Sequence, residues 1–181
     1  MNSKLIVGTL VGGVILFLWQ FLSWTMLNLH GDGQKYTAKQ TEILQYLGEN
    51  LEGEGSYFLP TYAPGTSQED MEKLMASMDG KPWATISYHS AMKANMGLNM
   101  FRGLVIDFVA IAMLIWLLLR FANLGMKDAI MASLVVGLIS YFTSQYTYSI
   151  WFQTNTIPDL IDTIVSWALV GGWLGFWLPR Q

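Results

Sequence analysis

The sequence predicts an all-α transmembrane bundle of four helices, with a small mixed helical and extended extracytoplasmic cap inserted between the first two spans. Three observations carry that expectation. Four long apolar runs occupy Leu5 to Leu29, Gly103 to Leu119, Ala129 to Tyr148 and Leu160 to Leu178. Each approaches the roughly 20 residues that a helix needs to cross about 30 Å of hydrocarbon. Composition agrees, with 52% hydrophobic, 14% aromatic and only 13% charged residues and a positive mean hydropathy, outside the range of an ordinary soluble domain. Finally, the spans and one polar stretch, residues 31–100, use nearly all of the 181 residues, which predicts a single membrane domain over 1–181 and leaves no room for a separate soluble enzyme.

The first run exceeds the roughly 7–15 apolar residues of a signal-peptide core, and no small-x-small cleavage site precedes Gly31, so it reads as an uncleaved anchor. Lys4 precedes this span, Arg120 and Lys127 bracket the turn between the second and third, and Arg180 follows the fourth. The loop from Ser149 to Asp159 holds no Lys or Arg. Basic residues favour the cytoplasmic side, so both ends are expected inside. The expected location is a bacterial inner membrane, multi-pass, with residues 31–100 periplasmic.

Within that insertion, Thr37 with Gln40 has the form of a capping box, followed by Ile43, Leu44 and Leu47 on one face of a short helix that Gly48 can end. A second helix starts at Ser67, carries Glu69 and Asp70 in its first turn, presents Met71, Leu74, Met75 and Met78 on one face, and stops before Gly80. Gly55 to Tyr62 and Trp83 to His89 are aromatic and β-branched enough to pair as two strands. So small a cap cannot bury enough surface to stand alone, and its apolar faces are expected on the span ends or on a partner. Nine acids against five lysines exclude a nucleic-acid partner. The lack of cysteine excludes disulfides and thiolate chemistry.

The segment GGVILFLWQFLSWTMLNLH, Gly12 to His30, followed after about 25 residues by GSYFLP, Gly55 to Pro60, resembles the start of uncharacterised bacterial four-span integral membrane proteins. The resemblance covers mainly residues 8 to 60. It implies one span, an outer loop and three further spans in an inner membrane. It carries across no catalytic residue.

Four constellations are candidates for chemistry. The first is a polar intramembrane layer of Gln20, Asp107 and Gln145, joined by Ser23, Thr143, Ser144, Thr163 and Ser166 at comparable depth. Asp107 is the acid counted within the runs; facing lipid as an ion it would be costly, so it should face the bundle, be protonated, or pair, with Arg102 as a candidate partner. A hydrogen-bonded packing network competes with a substrate or proton site and with simple snorkelling near the interface, and a lone acid makes a poor proton relay. The second is the two histidines, His30 and His89, which with Asp32 form a set suited to zinc or copper, against the plainer reading of interfacial anchors beside Trp24 and Tyr88. The third is Met92, Met96 and Met100, a helical thioether stripe that suits Cu(I) with His89 or simply an adaptable contact surface. No metal or other cofactor is required by the sequence.

The fourth is a pair of small-residue faces, Gly8 with Gly12 and Gly171 with Gly175, which pack against each other or against another subunit. Trp167, Trp173 and Trp177 sit at several depths in the same last span, where bulky rings fill contacts between proteins or around a lipid or quinone. Hydrolase, metalloprotease and phosphate-loop motifs are absent, as are paired broken spans, so catalysis is disfavoured. The expected function is a small accessory or structural subunit that docks on a larger membrane complex. Its partners would be membrane lipid and another integral membrane protein or a second copy. The alternative is a binding or transport protein for a small hydrophobic molecule, lipid or metal at the outer leaflet, with a pocket between the cap and the polar layer. That alternative requires a cavity lined by Gln20, Asp107, Gln145 and an aromatic residue or His from the loop.

Overall fold

The computed structural model describes residues 2–179, so Arg180, counted above toward orientation, lies outside the described residues. The chain runs α1 (Asn2–Thr25), a 3-10 turn (Gly31–Gly33), α2 (Gln40–Asn50), β1 (Gly55–Leu59), α3 (Gln68–Met78), β2 (Ala84–Tyr88), α4 (Met96–Leu118), α5 (Met126–Tyr141), a π-helical turn (Phe142–Tyr146), α6 (Thr147–Phe152) and α7 (Ile157–Trp177). Four helical stretches, Ser3–Thr25, Met96–Leu118, Met126–Phe152 and Ile157–Trp177, are long and apolar enough to cross a membrane, which makes this a multi-pass membrane protein. The chain divides into two compact units, Met1–Lys35 with Asn95–Gln181, and Tyr36–Ala94.

In the helical unit, α1 packs on α4 and α7, α5 packs on α7, and α4 and α5 barely meet. The core is Leu16 from α1, Ile111, Leu114 and Ile115 from α4, Ala129 from α5, and Val170 and Leu174 from α7, all buried. Glycine makes these approaches close. A Cβ on Gly8 would stand 2.9 Å from Ile115 and one on Gly12 2.8 Å from Ile111, so this face seats α4. A Cβ on Gly171 would stand 2.7 Å from the Ile130 backbone and one on Gly175 2.9 Å from that of Met126, so the second face seats α5. The two small-residue faces therefore do not pack on each other. The side of α7 turned to α1 is filled instead by Trp173 and Trp177, whose rings stack at 5.5 Å. The indole N–H of Trp177 donates to the Lys4 carbonyl, and the Lys4 ammonium donates to the Leu178 carbonyl, tying the two helix ends together.

Element boundaries depart from the apolar runs in ways that matter for the site. Helix α1 ends at Thr25 rather than Leu29. Helix α4 begins at Met96, where the Asn95 side chain accepts from the Leu98 N–H, so the polar turn before Gly103 is helical. Met92 precedes that helix, and the three methionines do not form one helical stripe. The third span widens into a π turn at Phe142–Tyr146, where the Thr147 hydroxyl donates to the Phe142 carbonyl five residues back.

In the second unit, β1 and β2 pair antiparallel from Gly55 opposite Tyr88 to Leu59 opposite Ala84. Ser67 caps α3 by accepting from the Asp70 N–H at 3.2 Å, and Gly80, at φ +71°, takes the left-handed turn after it. Helix α2 differs from expectation at both ends. Thr37 accepts from the Lys39 N–H and stays outside the helix, which starts at Gln40 with no side-chain cap. Gly48 does not end it, because its missing side chain admits the Tyr88 hydroxyl, 2.9 Å from where a Cβ would lie. Glu54 accepts from both the hydroxyl and the backbone N–H of Ser90, which holds its carboxyl below the ordinary carboxylate range. No residue of this unit is buried.

Candidate functional site

Helix α1 builds one wall of the site through its period. Trp19 and Ser23 lie one turn apart on one face, and Gln20 and Trp24 repeat that spacing one residue on. After Thr25 the chain turns back. Leu27 N–H bonds to the Leu22 carbonyl, Asn28 adopts a left-handed conformation at φ +48°, and Leu29 N–H bonds to the Ser23 carbonyl. This reversal lays His30 flat on Trp24, with ring centroids 4.2 Å apart and planes 4° from parallel.

Opposite stands Asp162, in the second turn of α7. One of its oxygens accepts from the Ser23 hydroxyl at 2.8 Å and faces His30 Nε2 at 2.8 Å; the other accepts from the Trp19 indole N–H at 3.1 Å. The pair is largely shielded, with His30 13% and Asp162 19% exposed. Asp162 lies within the apolar run Leu160 to Leu178, so the runs contain two formal charges rather than Asp107 alone. The expectation built on a lone intramembrane acid is corrected accordingly: a second acid and a histidine stand beside it.

Asp107 is 5% exposed. Its Oδ1 accepts from the Gln20 amide at 3.2 Å, while its Oδ2 is buried with no hydrogen-bond partner. Arg102, the expected partner, forms no ion pair with it among the described residues; it lines a smaller cavity of about 400 Å³ beside Gln20 and Asp107.

Both acids face a larger cavity of about 580 Å³ lined entirely by the helical unit. Helix α1 and the turn after it contribute Leu16, Trp19, Gln20, Trp24 and His30; α4 contributes Asp107 and Ala110. The third span contributes Gly137, Ser140, Tyr141 and Gln145; α7 contributes Asp159, Asp162, Thr163, Ser166 and Trp167. Thus Gln20, Asp107 and Gln145 line one cavity together with Trp24 and His30. Tyr141, the last residue of α5, and Gln145, in the π turn, both line this wall, and the Tyr141 hydroxyl is hydrogen-bonded to that of Thr156 at 2.9 Å. The remaining hydroxyls of the expected layer turn back on their own helices: Thr143 to the Ile139 carbonyl, Ser144 to the Ser140 carbonyl and the Gln145 side chain, Thr163 to the Asp159 carbonyl, and Ser166 to the Thr163 carbonyl.

The two histidines belong to different units. His30 is committed to Asp162, Asp32 sits in the 3-10 turn, and His89 lies 3.4 Å from the Ser87 hydroxyl in the second unit. Among the described residues no group of three or more His, Asp or Glu is disposed to hold a metal ion. Hydropathy alone passes over Asp162, Trp19 and Tyr141. The signal available for Asp162 is the acid itself, inside the fourth apolar run.

No protein-family model, curated protein or solved structure matches this chain.

Proposed function

We propose that the protein is a binding or transport protein for a small molecule, with its site in the cavity between α1, α4, α5 and α7. The observation that carries this reading is the convergence of Asp107, Asp162 and His30 with Trp19, Trp24, Tyr141 and Trp167 on one cavity. Ionisable groups that converge on one cavity beside aromatic side chains make a site able to hold and orient a small molecule. Ionisable groups inside spanning helices are costly and mark ligand or ion pathways. With both chain ends in the cytoplasm, as the basic residues favour, the cavity lies in the outer-leaflet half of a bacterial inner membrane and residues 31–100 are periplasmic.

A second reading, a small accessory subunit docked on a larger membrane complex, is favoured by one observation. The second unit has no buried residue, and Met92 and Met96 beside the unit boundary are strongly exposed, at 93% and 75%. Surfaces of that kind are ordinarily covered. Purification of the tagged protein in native nanodiscs at its natural expression level, followed by mass spectrometry, tests both readings. A small molecule retained by the wild type and lost from Asp107→Asn supports the binding reading. Stoichiometric recovery with one large complex, with no bound small molecule, overturns it in favour of the subunit.

A further inference from the structure

Two acids of the cavity, Asp107 and Asp162, are served unequally, and the inequality points to a class of ligand. Asp162 is met on both oxygens, by Trp19, Ser23 and His30. Asp107 is met on Oδ1 by Gln20 alone, and its Oδ2 has no partner although the side chain is 95% withdrawn from solvent. An ionised carboxylate offers about four acceptor sites, and one held inside a membrane span requires donors or a counter-charge to fill them. Oδ2 thus lacks N–H or O–H donors and positive charge together.

The cations nearby leave that vacancy open. His30 is spent on Asp162, and Arg102 makes no ion pair with Asp107 among the described residues. The cavity also carries Asp159, so its titratable lining is three acids against one histidine. Trp19, Trp24, Tyr141 and Trp167 add indole and phenol faces to a wall that is otherwise mostly polar, and such faces attract cations while giving apolar matter a place to lie. About 580 Å³ falls within the roughly 300–1,000 Å³ of ordinary small-molecule sites.

Resting on the binding reading above, we propose that the ligand is a small lipophilic amine. Its ammonium group pairs with the Asp107 carboxyl group, and its apolar body lies against Tyr141 and Trp167 in the cavity wall. Asp162, clamped by Trp19, Ser23 and His30, is a positioning residue that fixes α7 against α1 and keeps that wall in place.

The test compares 1-naphthylmethylamine with 1-naphthalenemethanol, which share a ring system and differ in the charged head. Binding to the full chain in nanodiscs of zwitterionic lipid is measured by calorimetry, with empty nanodiscs subtracted. The expected result is saturable binding of the amine at least about tenfold tighter than the alcohol, a difference that Asp107→Asn reduces to less than about twofold. Equal binding of amine and alcohol by the wild type overturns the amine assignment and leaves the binding reading standing. So does a preference that survives in folded Asp107→Asn. Failure of both probes to bind overturns the amine assignment, while the native-nanodisc purification decides the binding reading separately. The wild-type comparison decides the matter by itself should Asp107→Asn fail to fold.

Discussion

Asp107 and Asp162 line one cavity, yet they are held in opposite ways. Asp162 accepts from α1 and the turn that follows it, through three different side-chain types, so its charge is compensated within the fold. Asp107 is more deeply buried and has a single amide on one oxygen. Intramembrane carboxylates need partners, but the partners need not all belong to the protein. The engaged acid is part of the architecture, whereas the half-engaged one is where the architecture stops short. Stability and binding should therefore separate between the two.

Replacing Asp162 with Ala is expected to have the largest effect, about 3 kcal/mol of destabilisation, because it strands Trp19, Ser23 and His30 without their acceptor. Denaturant unfolding in detergent micelles reads this directly, and a loss below about 1 kcal/mol would erase the distinction between the acids. His30→Ala should cost about 1.5 kcal/mol in the wild type and almost nothing once Asp162 is Ala. A double-mutant cycle giving no coupling between them would mean that the 2.8 Å contact contributes nothing. Ser23→Ala removes one donor and should cost about 1 kcal/mol, measured the same way. Smallest of all is Asp107→Asn, which keeps an acceptor for Gln20 and exchanges the unpartnered oxygen for an amide nitrogen of similar size. It should shift stability by less than about 0.5 kcal/mol while changing what the cavity binds. A large destabilisation there would make Asp107 a second Asp162.

Much of the fold is legible before any coordinates, because a bilayer imposes long apolar runs and leaves few alternatives. The hairpin of β1 with β2 and the Ser67 cap of α3 follow from local composition in the same way. The comparable depth of Gln20 and Asp107 is also readable, since consecutive spans alternate in direction. The clamp on Asp162 is not. A hydropathy window averages one acid away among its apolar neighbours, and Asp162 has Ile161, Ile164 and Val165 around it. The reversal that returns His30 to Ser23 is marked only at its end, by Gly31, where a Cβ would stand 2.4 Å from the Asn28 side chain; the left-handed residue is Asn28 itself, which tolerates that conformation without advertising it. Gly48 misleads for a related reason, because glycine signals either a helix end or a close approach, and sequence does not say which.

The reversal after α1 has a genealogical consequence. Apart from the two acids themselves, the side chains that hold them all come from a stretch of twelve residues, Trp19 to His30. A chain that keeps Trp-Gln-x-x-Ser-Trp-x5-His at the end of its first span, with one acid in its second span and another in its fourth, keeps the whole arrangement however far the rest has drifted. That pattern is compact enough to be sought by itself, and it would recognise kin that whole-chain similarity leaves unrelated.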